Sequence, residues 1–252
     1  MRMGYCMDEK TKYAEEWDVS SKYFYEKNYY KWMCNHIDDK KVVLEIGCGT
    51  GYGTLSLLEN GHKVITIDKN RSCIAKAKEL ISSKDFSVTE SMEKFSENDV
   101  LFIGSDIVLE DFYENILPQI NCDVVICWNV GGFWNENTLN HYFPYMLMYG
   151  LTPLQIQENP ESSYSELILW NACKIAKAKG IPVNIVDRNG EIIDEENDSY
   201  YCTLKDEFRF EKIVFNNLKG DTISAGGTML VTNGILNTDD KVDIVLVSVR
   251  ME

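Results

Sequence analysis

Long apolar runs are missing from this sequence. None of its hydrophobic segments approaches the roughly 20 consecutive apolar residues that a membrane-spanning helix needs. The opening segment, MRMGYCMD, has no apolar centre of the kind found in a secretory signal peptide. We therefore expect a cytoplasmic protein without a membrane anchor.

Paired cysteines and clustered histidines are missing as well. The chain has eight cysteines and three histidines, and no two cysteines form a CxxC pair. A structural zinc site needs four such ligands at close spacing, so we expect no metal site. The cysteines are better explained as reduced thiols in the core. They are Cys6, Cys34, Cys48, Cys73, Cys122, Cys127, Cys173 and Cys202.

Positive charge is scarce. Lys and Arg number 25 against 40 Asp and Glu, which gives a net charge of −15 over 252 residues. Nucleic acid binding usually depends on a basic face that neutralises phosphates, so a nucleic acid partner is disfavoured. The densest lysine group, Lys174, Lys177 and Lys179, precedes Gly180, where positive charge complements the dipole at the end of a helix.

An alternation of short apolar runs and amphipathic stretches begins near residue 42. Before it, aromatic and charged residues at helical spacings in 1–40 predict one or two helices. The alternation is typical of a parallel sheet covered by helices. The predicted strands are 41–46, 62–68, 100–106, 122–130 and 181–187. The segments 212–217, 228–232 and 242–250 are also β-rich, with turn signals at 226–227 and 233–234.

Three helices are clearly indicated between these strands. One runs from near Gly51 to Gly61, and a second carries apolar residues at helical spacing over 74–81. The third is predicted to begin at Ser163, which forms the capping-box pattern with Glu166, and to end at Gly180.

A glycine-rich turn links the first predicted strand to the first of these helices. Glycine at 47, 49 and 51 permits positive φ angles and lets a ligand approach the main chain closely. The G-x-G-x-x-G fingerprint of dinucleotide-binding enzymes fails here. Counted from Gly47 its last position is Tyr52, and counted from Gly49 it is Thr54.

The pattern present, E-x-G-x-G-x-G with Glu45 as its leading acid, resembles motif I of the class I S-adenosylmethionine methyltransferases. That resemblance implies a doubly wound, Rossmann-like α/β sheet of about seven strands with an antiparallel C-terminal edge. It implies a cofactor-binding domain over 41–252, with 1–40 as a helical cap. It also implies S-adenosylmethionine as cofactor. The residues expected to bind it are Glu45, Gly47, Cys48, Gly49, Gly51, Asp68, Lys69, Asp106 and Asn129.

Two of these residues, Asp68 and Asp106, are acids that end predicted strands. Asp68 ends the second predicted strand, 68 − 45 = 23 positions after Glu45, where a carboxylate can accept hydrogen bonds from both ribose hydroxyls. The alternative is that it caps the next helix. Asp106 is similar to the family's adenine-binding acid after the third strand. A rival strand over 85–90, ending at Glu90, leaves that position open.

The loop after the fourth predicted strand runs Asn129-Val130-Gly131-Gly132. The resemblance places this loop beside the transferable methyl group. It lacks the N-P-P-Y or D-P-P-Y signature of enzymes that methylate exocyclic amino groups of nucleobases or glutamine. This departure weakens a DNA, RNA or protein-glutamine acceptor.

No catalytic base is indicated. His141 lies where a base or a substrate contact is plausible, although packing is the more common role of such a histidine. The aromatic residues of 1–40 suit either ordinary packing or a lid whose π faces attract the sulfonium. We favour a methyltransferase with a small-molecule acceptor. A methyltransferase of a protein or RNA component and a non-catalytic binder of the cofactor or its product, S-adenosylhomocysteine, remain open.

Overall fold

A computed structural model describes residues 9–130, 136–223, 231–232, 235–236 and 241–252. Its helices are α1 (Glu9–Glu26), α2 (Tyr29–Cys34), α3 (Tyr52–Glu59), α4 (Arg71–Ser82), α5 (Glu136–Tyr149), α6 (Pro153–Glu158), α7 (Pro160–Lys179) and α8 (Tyr200–Phe208). Its strands are β1 (Val42–Ile46), β2 (Lys63–Ile67), β3 (Val88–Thr89), β4 (Val100–Ile103), β5 (Val124–Trp128), β6 (Val183–Asn189), β7 (Ile213–Ile223), β8 (Val231–Thr232), β9 (Ile235–Leu236) and β10 (Lys241–Met251).

Eight of the described strands form one sheet in the order β3-β4-β2-β1-β5-β6-β10-β7. The first six are mutually parallel, and β10 runs antiparallel to both β6 and β7. The predicted α/β class and antiparallel C-terminal edge are thereby confirmed. The sheet has eight strands where about seven were expected, because the two-residue β3 pairs with β4 at the outer edge.

The two candidate third strands both exist. The strand beside β2 is β4, and Asp106 follows it; β3, followed by Glu90, lies outside it. Glu90 Oε1 forms an ion pair with Lys78 Nζ at 3.0 Å, away from the centre of the sheet. Asp106 is therefore the acid that follows the inner of the two strands.

Side chains of the central strands alternate between two apolar cores. On β1, Leu44 belongs to the core that includes residues of α5, α6, α7 and α8, whereas its neighbour Val43 belongs to the core that includes residues of α1, α2, α3 and α4. Both faces of the parallel sheet are thus covered, which explains the nearly continuous apolar runs of the sequence.

The N-terminal helices share the second core with the sheet. Phe24 and Met33 are buried in it beside strand residues. Tyr29 Oη donates to Asp221 Oδ1 of β7 at 2.9 Å and accepts from the Asp221 amide at 3.0 Å. The predicted helices of 1–40 are confirmed for the described residues, and this contact anchors them across the sheet.

The predicted start of α7 is wrong. Asn159, not Ser163, is its N-cap, with Asn159 Oδ1 accepting from the Ser162 amide at 3.3 Å. Pro160 occupies the first helical position, where its fixed φ suits the helix and no amide proton is required, so the helix begins earlier. Its end at Gly180, with φ of 66°, is as predicted.

The described helices include none that is long and apolar enough to cross a membrane. Across the same residues, no group of three His, Cys, Asp or Glu side chains is arranged to hold a metal ion. Seven cysteines are described, all as free thiols, and every one except Cys202 is buried. The predicted turns at 226–227 and 233–234 lie outside the described residues.

Candidate functional site

The glycine loop between β1 and α3 begins the site. Gly47, Gly49 and Gly51 have φ angles of 82°, 50° and 93°, a region that side chains disfavour. A Cβ at Gly51 would lie 2.8 Å from the Cα of Ala77 on α4, and one at Gly49 would overlap the indole of Trp17. Gly51 thus serves the packing of α3 on α4, while Gly47 and Gly49 keep the main chain open towards a crevice.

Glu45 points from β1 into this crevice and is 4% exposed. Thr54 Oγ1 donates to Glu45 Oε2 at 2.6 Å. Burial, opposed by the hydrogen bond from Thr54, raises the pKa of Glu45 to about 7. The carboxyl group therefore exists in both protonation states near neutral pH.

Asp68 follows β2 and ties the glycine loop to the next turn. Its Oδ2 accepts from the Gly49 amide at 3.1 Å, and its Oδ1 accepts from the Asn70 amide at 2.7 Å. Asn70 itself caps α4, accepting from the Ser72 amide at 3.0 Å, so Asp68 does not have the capping role considered for it. Burial raises the pKa of Asp68. Each carboxylate oxygen retains acceptor capacity for a ligand.

Asn129 closes the crevice from the end of β5. Its backbone has φ of 49°, and its amide donates to the Val186 carbonyl at 2.8 Å. The side chain is 3% exposed, yet neither Oδ1 nor Nδ2 has a hydrogen-bond partner in the described structure. A buried side-chain amide normally has hydrogen-bond partners, so Asn129 departs from the usual pattern.

Lys69, Tyr142, Tyr164 and Asp106 form a second cluster beside the crevice. Lys69 Nζ donates to Tyr142 Oη at 3.3 Å and lies 3.9 Å from the ring centre of Tyr164. Tyr142 Oη donates to Asp106 Oδ2, and Asp106 Oδ1 accepts from the Val108 amide at 3.0 Å. Burial lowers the pKa of Lys69 to about 8, against the charges of Asp106 and Asp68. Asp106 is thus largely engaged by its own neighbours.

Helix α1 covers the crevice. Tyr13 and Trp17 line it, with their rings parallel and 6.5 Å apart, and Trp17 lies over Gly49. The enclosed space is about 60 Å³. This is far below the roughly 300 Å³ or more of a typical ligand pocket. A cofactor-sized ligand can therefore occupy the crevice only if these side chains move.

The structure brings most of the predicted site residues together. Around the crevice lie Glu45, Gly47, Cys48, Gly49, Asp68, Lys69 and Asn129. Asp106 lines an adjoining cavity that shares Gly47, Asp68 and Lys69 with the crevice. Gly51 lines neither and acts through helix packing. His141 is exposed on α5 at a third cavity, whereas His62 bonds the Lys40 carbonyl and His36 packs against Trp32, both away from the glycine loop.

Several lining residues were not singled out from the sequence. Asn70 caps α4 and Tyr164 lies on α7, and the periodicity that marks those helices singles out neither residue. Trp17 belonged to a general aromatic pattern with two interpretations. No local signal connects these positions, because the fold alone brings them to one edge of the sheet.

Comparison with protein families places residues 43–146 on a model described as a methyltransferase domain. The matched segment, 104 of the 252 residues, is similar to methyltransferase domains. It runs from β1 into α5 and includes all nine residues predicted to bind the cofactor, from Glu45 to Asn129. No curated protein sequence matches the chain.

Solved structures of low sequence identity resemble the methyltransferase domain and its flanking elements. One is a precorrin 8W decarboxylase from Methanobacterium thermoautotrophicum, with 14% identity, a TM-score of 0.45, and 86% of this chain and 88% of the other covered. Another is the N-methyltransferase NodS from Bradyrhizobium japonicum WM9, with 12% identity, a TM-score of 0.43, and 90% and 96% covered.

Proposed function

We propose that this chain transfers methyl groups from S-adenosylmethionine to a small-molecule acceptor. The observation that carries the proposal is the side chain of Asn129, buried and without partners at the rim of a crevice formed by the glycine loop and Asp68. A cofactor with many hydrogen-bonding groups fits such a site, since it would satisfy an amide that the described protein groups leave unpaired.

The residues present suit each part of the cofactor. Asp68 has spare acceptor capacity for two ribose hydroxyls, and the Gly47–Gly49 turn lets a ligand approach the main chain. The faces of Tyr13 and Trp17 and the carboxyl of Glu45 surround the crevice with groups that attract a cation. S-adenosylmethionine carries two such centres, its sulfonium and its ammonium.

When bound, the cofactor would supply an electrophilic methyl carbon, which bonds to the acceptor's lone pair as the carbon–sulfur bond breaks and its electrons stay on sulfur. The chain's own residues bind and orient the two reactants and exclude water. Helix α1 suits the exclusion of water, because Tyr13 and Trp17 already seal the crevice on that side.

A small acceptor is supported by three features. The net charge of −15 opposes a polyanionic acceptor, and Asn129-Val130 lacks the aromatic-proline signature expected for nucleobase or glutamine methylation. A crevice covered by a helix also admits a small molecule more readily than a folded partner.

The test is a calorimetric cycle on Asp68. Wild type and Asp68→Ala are each titrated with S-adenosylhomocysteine and with its 2′,3′-dideoxy analogue. We expect Asp68→Ala to weaken binding of the full ligand by about 2 to 4 kcal/mol, and Asp68→Asn by less, because charge-assisted hydrogen bonds to the ribose are lost. The dideoxy analogue should bind the wild type weakly and lose little more in Asp68→Ala.

The cycle separates recognition from folding. Asp68 also holds the amides of Gly49 and Asn70, so both variants should melt at lower temperature even if the ribose is not bound there. Additive losses in the cycle would contradict the ribose role. A melting temperature raised by NAD, and not by S-adenosylhomocysteine, would overturn the cofactor assignment. A methyl-release assay over an acceptor library then distinguishes an enzyme from a cofactor-binding protein.

A further inference from the structure

Beside the covered crevice lies a larger cavity of about 410 Å³. Its described lining residues are Lys10, Lys69, Asn70, Asn137, Thr138, His141 and Tyr142. Two lysines and a histidine are among them, and none of the seven is acidic. In a chain with 40 acidic and 25 basic residues, this composition runs against the overall charge.

The elements that meet at the cavity explain how it is built. Asn137, Thr138, His141 and Tyr142 are neighbours on the first two described turns of α5, at the spacings that share one helix face. Lys10 is on the first turn of α1, whose backbone is tied to α4 because Asn70 Nδ2 donates to the Lys10 carbonyl at 3.2 Å. Lys69 comes from the turn after β2.

Neither lysine of the cavity has a close ion-pair partner among the described residues. The ion pairs within 4.0 Å among the described residues include neither Lys10 nor Lys69. Lys69 donates to Tyr142 Oη. Burial is the main cause of its lowered pKa; repulsion from the Lys10 charge adds to the lowering, and the charges of Asp106 and Asp68 oppose it. Asp106 already accepts from Tyr142 and Val108. An anion between the lysines would relieve this repulsion.

The cavity is also placed for an acceptor. It shares Lys69 and Asn70 with the covered crevice, so a molecule in one lies next to a molecule in the other. Rings of His141, Tyr142 and Tyr145 follow one another along α5, with centroids 4.7 Å and 6.2 Å from that of His141. The surroundings therefore combine positive charge with aromatic surface.

We propose that this cavity binds the methyl acceptor and that the acceptor is a small organic anion, held through a carboxylate or phosphate by Lys10 and Lys69. The inference rests on the proposed function, because it takes the neighbouring crevice as the cofactor site. It deepens that function by naming the chemical class of the acceptor.

The experiment is calorimetry of the full chain with three probes of similar size: benzoate, phenyl phosphate and the neutral benzamide. Each is titrated in the presence of saturating S-adenosylhomocysteine. We expect both anions to bind and benzamide not to bind, with the tighter anion identifying the preferred anionic group. Affinity should fall as salt is added, since the attraction is between partly exposed charges.

Two variants and a matched control locate the anion. Lys10→Gln should lower the affinity for benzoate or phenyl phosphate by about fivefold, as expected for an exposed ion pair. Lys69→Met keeps the length of the side chain between the rings of Tyr142 and Tyr164. It should weaken the binding of benzoate and phenyl phosphate further. Lys12→Gln is the control, because Lys12 is exposed on the same helix and pairs with Glu16. It should leave anion binding unchanged.

Each contrary outcome overturns the proposal. Benzamide binding as tightly as benzoate, neither anion binding, or Lys10→Gln behaving as wild type would remove the anion site. Anions that bind when S-adenosylhomocysteine is absent but not when it is saturating would assign the lysines to the carboxylate of the cofactor. The titration with S-adenosylhomocysteine alone keeps the two proposals apart: if it binds and the anions do not, only the acceptor class fails, whereas its failure to bind refutes the cofactor site.

Discussion

Glu45 illustrates what a single buried carboxyl group does to this molecule. It lies on a central strand, is 4% exposed and accepts a hydrogen bond from Thr54. No positively charged group contributes to the shift of its pKa. Its ordinary value of 4.5 is raised to about 7 because burial penalises the charged form. The folded state therefore holds a proton that the unfolded chain releases at lower pH.

This difference predicts a pH-dependent stability. Since the folded-state pKa is the higher one, the stabilising effect of the bound proton is complete below pH 4.5 and is lost as pH rises towards 7. Between pH 5 and pH 8, wild type should lose about 2 kcal/mol more free energy of unfolding than Glu45→Gln, which stays neutral. Urea unfolding of both proteins at the two pH values measures this. An equal loss in both would show that Glu45 does not titrate abnormally.

At the scale of elements, α1 decides access to the crevice. It contacts α2, α3, α4 and β7, and its Trp17 lies over Gly49 while Arg188 of β6 lies 5.7 Å from the indole. The backbone of α1 is also held near its start, where Asn70 Nδ2 donates to the Lys10 carbonyl. The helix is thus held at several points, and its aromatic side chains Tyr13 and Trp17 line the crevice.

Removing the cover should speed binding. We expect Trp17→Ala to raise the association rate of S-adenosylhomocysteine on the order of tenfold, because a larger fraction of molecules is then open to the ligand. Stopped-flow fluorescence or surface plasmon resonance measures the rate. Trp32→Ala is the matched control, since Trp32 lies on α2 against His36 and does not line the crevice. An unchanged rate in Trp17→Ala would mean that the indole does not limit access.

At the scale of the whole molecule, charge restricts the partners. The net charge is −15, and the lysine group near Gly180 is committed to the fold. Lys177 Nζ donates to the Arg209 carbonyl at 2.9 Å, Lys179 Nζ donates to the Ile120 carbonyl at 2.5 Å, and Lys174 lies over the ring of Tyr113. These lysines are therefore not a free basic face.

Duplex DNA and tRNA should accordingly bind weakly. At physiological salt we expect no submicromolar complex in gel-shift or fluorescence-anisotropy titrations, because a polyanion meets a molecule of the same sign. Repeating the titration at low salt gives the control for nonspecific attraction. Tight binding that weakens steeply with added salt would reveal a basic surface and favour an RNA acceptor.

Much of the fold was predictable because its signals are local. The strand-turn-helix from β1 to α3 depends on apolar residues and glycines within a few positions, and the parallel core strands were marked by runs that both faces of a sheet require. The start of α7 was not predicted correctly. Ser163 and Glu166 form the capping-box pattern, but Pro160 begins the helix earlier, with Asn159 as its cap.

The sequence by itself determined the glycine loop, the acid after β2 and the class of the fold, since each depends on neighbours along the chain. Only the tertiary structure decided the rest of the site. It placed Trp17 over Gly49, joined Lys69 to Tyr142 and Tyr164, and left Asn129 without partners. These contacts join residues far apart in the chain. They depend on strand order and on helix packing across the sheet, which local patterns do not specify.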